Sequence, residues 1–165
     1  MKLKIQIKCN NDQCMPEVID KGEWVDLYIP KDVKLKSPYV NYSGKFVFNY
    51  TKIDLEICMK FPRGYEAIIA PRSSTFEHHG VICPNSIGVI DNPYNGDNDS
   101  WNFPVVPLRN ATINAGQRIC QFRIQLSQKA TVWQKIKDLF YSGIEFERVD
   151  SLGSSDRGGF GTTGR

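Results

Sequence analysis

Four short stretches of this chain carry side chains that can do chemistry on a phosphorylated ligand. Ala70-Pro71-Arg72-Ser73-Ser74-Thr75 follows the apolar pair Ile68-Ile69. Pro71 fixes its own φ and ends the extended run, and Arg72 then offers a planar fork of donors. The hydroxyls and amides of Ser73, Ser74 and Thr75 complete a set able to receive phosphate oxygens. Asp91 follows Val89-Ile90 and precedes Asn92-Pro93, so its carboxylate sits at a strand end, where it can hydrogen-bond a water and take its proton. Asn85 carries donor and acceptor on one amide, the pairing that reads a pyrimidine edge, and Tyr94 supplies a flat face for a sugar. Gln121 alternates away from Cys120 and Phe122. Taken singly, each has a plainer alternative: a polar loop, a turn-opening aspartate, a surface glutamine.

The last fifteen residues, 151–165, are rich in glycine and poor in apolar groups, and cannot form a core of their own. By composition they read as a flexible tail. Arg157 and Phe160, an anion partner and a stacking group, stand out on it, as expected of a strip that closes over a ligand.

The elements that must position these groups are mostly strands. Leu3, Ile5 and Ile7 share one strand face; Ile53, Leu55, Ile57 and Met59 share another, as do Cys120, Phe122, Ile124 and Leu126. Pro62-Arg63-Gly64, Asn95-Gly96-Asp97 and Asn114-Ala115-Gly116 mark turns between them. One stretch differs: Trp133, Ile136, Leu139 and Phe140 recur at helical spacing, predicting a short amphipathic helix over 131–141, with Thr131 near its start and Gly143 closing it. The fold class expected is all-β, a barrel or sandwich with one short helix, with one domain over residues 1–150 and the tail as a lid.

Bulk properties narrow the function. In a chain of 165 residues, 41% are hydrophobic and 24% charged, a globular balance. A net charge of +3 gives no broad basic field for nucleic acid, yet permits a small polyanion. No apolar stretch approaches membrane-span length, and Met1-Lys2-Leu3-Lys4-Ile5 enters alternating structure without a signal-peptide core. Cys9, Cys14, Cys58, Cys83 and Cys120 form no C-x-x-C pair, so reduced thiols in a cytoplasmic protein are expected.

The order of the pieces is more specific than any one of them. Asp26-Leu27, Arg-Ser-Ser, Gly-x-Ile-Asp-x-x-Tyr-x-Gly, Gly-x-Arg-Ile-x-Gln and Arg-Gly-Gly-Phe-Gly-Thr-Thr-Gly follow one another between Trp24 and Gly164. This resembles the trimeric dUTPase family, with five motifs in this order. Gly96 to Trp101 (Gly-Asp-Asn-Asp-Ser-Trp) looks most like its Gram-positive bacterial and phage branch.

The resemblance implies a jelly-roll-like β-barrel forming a homotrimer with shared sites. Motifs one, two and four would come from one subunit, the third motif from a second and the tail from a third. It implies that Asp91 activates the water attacking the α-phosphorus of dUTP. Asn85, Gly88, Val89 and Ile90 would read uracil, and Tyr94 would pack under deoxyribose. Arg72, Ser73, Ser74, Gln121, Arg157, Gly161, Thr162 and Thr163 would hold phosphates, Phe160 would stack on the base, and Asp26 would support the interface. Mg2+ would be held by phosphates and water, with no direct protein ligand. A dCTP deaminase of the same fold, or a phage-type module gripping a regulatory protein partner, are the alternatives. Trp101 and Phe103 are expected at the trimer interface or the site mouth. His78 replaces a lysine common in the family, and Ser74 a glycine.

Overall fold

The computed structural model describes residues 1–19 and 22–160. The chain opens with β1 (Leu3–Cys9), whose Leu3, Ile5, Ile7 and Cys9 all point into the core, and a one-turn 3-10 helix at Asp12–Cys14. Short strands follow: β2 (Val25–Tyr28), β3 (Val33–Leu35), β4 (Tyr39–Val40), β5 (Phe46–Val47) and β6 (Thr51–Asp54). Then come β7 (Ile57–Lys60), β8 (Tyr65–Pro71), helix α1 (Thr75–His79), β9 (Val81–Ile82) and β10 (Gly88–Ile90). The second half holds β11 (Asn102–Pro107), β12 (Ala111–Ile113), β13 (Arg118–Leu126), helix α2 (Val132–Asp138) and β14 (Ile144–Arg148).

These strands pair into five sheets among the described residues: β14-β1-β7, β10-β8-β13-β2, β6-β11-β9, β12-β3 and β4-β5. Apolar residues from the first four meet in one core. The fold is therefore the expected β-rich one, with pairing split among ladders rather than closed in one ring. β13 is its longest strand and joins β8 on one side to β2 on the other, with Gln121 opposite both Ala70 and Asp26.

Three sequence expectations need correction. The run Ile53 to Met59 is two strands, because Glu56 takes a left-handed backbone (φ 54°) with its N–H donated to Asp54 Oδ1 at 2.9 Å. All four apolar side chains still reach the core. Trp101 and Phe103 are neither at an interface nor at the site mouth: they are 0% and 1% exposed, inside the chain's own core. Trp101, Phe103 and Val105 are the inward residues of an alternating run, and the indole packs edge-on against Phe61 and Phe122 at centroid distances of 6.0 and 5.1 Å.

The predicted helix exists but is shorter. Thr131 caps it, its hydroxyl accepting from Gln134 N–H at 3.3 Å while Gln134 Oε1 accepts from Thr131 N–H at 2.7 Å. It ends near Leu139 in i→i+3 bonds, and Gly143 (φ 118°) lies instead at the entry to β14, its carbonyl accepting from Leu3 N–H. Polar groups tie α2 to the body: Gln134 Nε2 donates to Arg63 O at 2.7 Å, and Tyr65 Oη donates to Asp138 at 2.8 Å. Its apolar side chains face outward, Trp133 79% and Leu139 82% exposed.

Candidate active site

The first part of the site grows from the β8–β10 pair. Gly88 lies opposite Ile69 and Ile90 opposite Ala67, so β10 rides on a strand anchored in the core. The approach to β10 is a tight turn in which Ser86 adopts φ 64° and donates its N–H to Cys83 O at 3.0 Å. That turn carries Asn85. Together with Gly88, Val89, Ile90, Asp91 and Tyr94 it lines a cleft of about 260 Å3. Asn102 and Pro104 of β11 form the opposite wall, and Arg157 to Phe160 close it.

Within the cleft, Asp91 stands at the end of β10 with its side chain 51% exposed, and its Oδ2 lies 2.7 Å from Arg157 Nη1. Its carbonyl accepts from Tyr94 N–H at 2.9 Å, which fixes the turn carrying both residues. Tyr94 Oη donates to Ser100 O at 2.7 Å. Burial, reinforced by the nearby Asp99 carboxylate, pushes the phenol up to about 12, so it stays neutral and presents a ring face. A methyl group built on Gly159 would come within 3.2 Å of that ring, so the tail backbone lies close against it.

A second cluster lies on β2, β13 and the turn after β8. Asp26, 14% exposed, receives Arg72 Nε at 2.7 Å and Arg118 Nη1 at 3.0 Å. Both guanidiniums are thereby held in place by one carboxylate. Thr75, predicted to offer a phosphate ligand, is buried instead: its hydroxyl donates to Ile119 O at 2.6 Å and accepts Arg72 N–H at 3.0 Å. It pins the Arg72–Ser74 turn to β13 and leaves Ser73 and Ser74 free to face a ligand. Gln121 Nε2 donates to Pro71 O at 3.3 Å beside that turn. Arg72, Ser73, Ser74 and Gln121 do not line the Asp91 cleft.

The tail is held by three consecutive residues after Gly96. Asp97 accepts from Leu152 N–H at 2.8 Å and Ser151 Oγ at 2.6 Å. Asn98 donates its N–H and amide to Asp156 at 2.9 and 2.7 Å. Asp99, 1% exposed, accepts from the amides of Gly96, Arg157 and Gly158 at 2.8–2.9 Å. Burial raises the Asp99 pKa, but the N–H groups of Arg157, Gly96, Gly158 and Asn95 outweigh it and hold the carboxyl below its ordinary value. Phe160 then turns over the cleft with φ 53°, and Lys52 Nζ sits 4.0 Å from its ring centroid.

The structure thus gathers Asn85, Gly88, Val89, Ile90, Asp91, Tyr94, Arg157 and Phe160, and keeps Asp26, Arg72, Ser73, Ser74 and Gln121 apart from them. Gly161, Thr162 and Thr163 lie outside the described residues. Within the single chain, Arg157 and Phe160 line the cleft that contains Asp91, next to the contacts made by residues 97–99. Sequence reading missed Asp99, Arg118 and Lys52. The density of acidic and amide side chains in Asn95-Gly96-Asp97-Asn98-Asp99 was the available signal for the first; no local pattern marks Lys52. The His78-His79 pair sits on α1, where Arg109 caps the helix carbonyls of Glu77 and His78.

Comparison with known proteins identifies the family. The dUTPase family model matches residues 25–158. The SPbeta prophage-derived deoxyuridine 5'-triphosphate nucleotidohydrolase YosS of Bacillus subtilis is 38% identical, covering 99% of both chains. The deoxyuridine 5'-triphosphate nucleotidohydrolase of Finegoldia magna is 35% identical, again over 99% of each. Among solved structures, the Streptococcus mutans dUTPase superposes with a TM-score of 0.62 at 16% identity, covering 74% of this chain and 93% of that one. The dUTPase of Staphylococcus bacteriophage 80alpha gives 0.60 at 16% identity, over 78% and 93%. Family match and curated relatives together establish that this chain belongs to the dUTPase family.

Proposed function

We propose that the chain is a dUTP diphosphatase, hydrolysing dUTP to dUMP and pyrophosphate. The observation that carries this reading is the Asp91 carboxylate lining one cleft with the Gly88–Ile90 strand, a neutral tyrosine ring and an arginine. The curated relatives bear the name of that activity.

Asp91 takes a proton from a water whose oxygen bonds to the α-phosphorus. The bond from that phosphorus to the bridging oxygen breaks, and pyrophosphate leaves. Asn85 and the main chain of Gly88 to Ile90 read the uracil edge, in a fit that would exclude a 5-methyl group. Tyr94 packs under deoxyribose, and Phe160 covers the base. The Arg157–Asp91 contact is a half-exposed ion pair, worth only about 0–1 kcal/mol in such surroundings. A triphosphate therefore competes for the guanidinium at little cost, and Arg157 moving onto phosphate frees Asp91 for its water.

No group of three or more His, Cys, Asp or Glu side chains converges among the described residues. Magnesium would accompany the substrate, held by phosphate oxygens and water. When bound there it neutralises the triphosphate and orients the scissile group. Arg72, Ser73, Ser74 and Gln121 complete the phosphate site from a neighbouring copy in a homotrimer, which accounts for their distance from the cleft of their own chain. Within the described residues no helix is long and apolar enough to cross a membrane, and the proposed location is the cytoplasm.

Pyrophosphate release measured with magnesium across dUTP, dTTP, dCTP and UTP tests the assignment. Turnover of dUTP alone is expected. Ammonia release from dCTP would replace it with a deaminase reading. A regulatory protein partner is a second, additional reading, favoured by the outward apolar side chains of α2; unchanged dUTP turnover on partner binding would separate the two roles.

A further inference from the structure

The chain's positive charge and many of its exposed aromatic rings gather in one hairpin. Residues 33–50 hold Lys34, Lys36 and Lys45 and no Asp or Glu, so this stretch alone carries a charge of +3, equal to the net charge of the whole chain. The same stretch holds Tyr39, Tyr42, Phe46, Phe48 and Tyr50. None of these rings belongs to the core; Tyr39, Phe46 and Phe48 are each more than half exposed, and Tyr42 is fully exposed at the tip. Among the described residues, none of the three lysines takes part in an ion pair.

The local structure holds the rings out. β4 pairs with β5, Val40 opposite Phe46, and Phe48, two residues further on, meets Phe46 edge-on at a centroid distance of 5.0 Å. At the tip, Asn41 Oδ1 accepts from Ser43 N–H at 3.1 Å, Ser43 Oγ at 2.7 Å and Lys45 N–H at 2.9 Å, while Gly44 supplies the left-handed residue (φ 76°). At the base, Asn49 Nδ2 donates to the carbonyls of Lys36 and Ser37 at 3.1 and 2.9 Å, and Asn110 Oδ1 accepts from Ser37 N–H at 2.8 Å. Between this base and the β3–β12 pair runs a groove of about 780 Å3, lined by Lys34, Lys36, Tyr39, Asn49, Asn110 and Thr112, with no acidic side chain in its wall.

We infer that this face binds single-stranded nucleic acid. Exposed flat rings stack on unpaired bases of any sequence, and the ammonium groups beside them meet the phosphates that link those bases. A duplex fits less well, because its bases already stack on one another and leave nothing for the rings. A second copy of this chain is disfavoured as the occupant, since a symmetric pairing would set lysine against lysine with no carboxylate between them. The charge that is too small to form a broad basic field over the whole chain is enough when concentrated on one hairpin. The groove shares no lining residue with the Asp91 cleft, so strand binding and dUTP turnover stand or fall separately.

Fluorescence anisotropy of the full-length protein with labelled oligo-dT, oligo-U and a duplex of equal length tests this. Both single strands are expected to bind more tightly than the duplex, and their relative affinities show whether DNA or RNA is preferred. Affinity should fall with salt on a log–log slope of about −2, the value for three phosphate contacts. Phe46→Ser with Phe48→Ser changes two rings outside the core; it should weaken single-strand binding roughly tenfold or more and leave the salt slope as it is. Lys34→Gln with Lys36→Gln should instead flatten the slope to about −0.7. Thermal melts of both variants are expected to match the wild type.

No anisotropy change with either strand, equal affinity for the duplex, or wild-type binding by the doubly substituted phenylalanine variant would each overturn the inference. So would dissociation of that variant into smaller species on size exclusion when the wild type binds no strand, which would assign the face to contact between copies.

Discussion

Arg157 Nη1 lies 2.7 Å from Asp91 Oδ2, so the tail's only arginine before residue 161 rests on the carboxylate proposed to activate water. The pair joins residues 66 positions apart and makes the acid and its lid one electrostatic unit. Phosphate oxygens offer the guanidinium a denser negative charge than a single half-exposed carboxylate, which gives substrate the means to divide that unit.

Asp91→Asn keeps the shape of the side chain and removes its basicity. Turnover is expected to fall by about 10²–10⁴-fold, the range for loss of a general base, while dUTP binding measured by calorimetry persists. Near-normal turnover in this variant would sink the assignment.

Asp99→Asn tests whether a buried carboxylate acts through the tail. An amide nitrogen would face N–H donors, at a cost of about 1–3 kcal/mol. The expected result is a lower kcat with the KM shifted less, together with displaced NMR signals for the Arg157 and Gly158 amides. Gly96→Ala should reproduce that pattern by collision with Asp156. A fall in melting temperature without the amide shifts would mark both residues as core supports instead.

The tail anchors have a defined pH response. The Asp97 carboxyl is lowered chiefly by Ser151 and Leu152, and that of Asp99 by backbone amides that outweigh its burial. A carboxylate whose folded pKa is depressed contributes stability above its unfolded value near ~3.9, and loses it only as pH falls through the folded value. The tail should therefore stay docked from neutral pH down through pH 5 and release only below the ordinary carboxylate range. Amide shifts of Leu152, Arg157 and Gly158 followed by NMR would show this; release between pH 7 and pH 5 would contradict it.

Asp26→Asn removes the shared partner of Arg72 and Arg118. Two guanidiniums at a largely buried carboxylate lose their counter-charge, and a drop of about 1–3 kcal/mol in unfolding free energy is expected. Denaturant melts measure that directly. With Arg72 no longer oriented, KM for dUTP should rise more than kcat falls.

Much of the strand content was legible because burial enforces a period of two: Leu3-Ile5-Ile7 and Cys120-Phe122 read as inward faces and are inward. The same rule holds at Trp101, Phe103 and Val105, whose alternate positions face the core although the family resemblance pointed to an interface or the site mouth. Helix α2 was legible by its spacing and cap, but spacing alone could not say whether the apolar side chains meet the core. They do not, because the polar bonds of Gln134 and Asp138 orient the other face inward.

For the candidate site, residue type and order within the chain were enough to name Asp91, Arg72 and the tail, and with them the family. Local chemistry decides which side chain can take a proton or grip a phosphate, and that chemistry is written residue by residue. Which of these groups meet was decided by tertiary structure alone. A carboxylate at position 99 can orient an arginine at position 157 only once β1, β7 and β14 have brought both segments to the same edge of the fold, and no spacing along the chain encodes that distance.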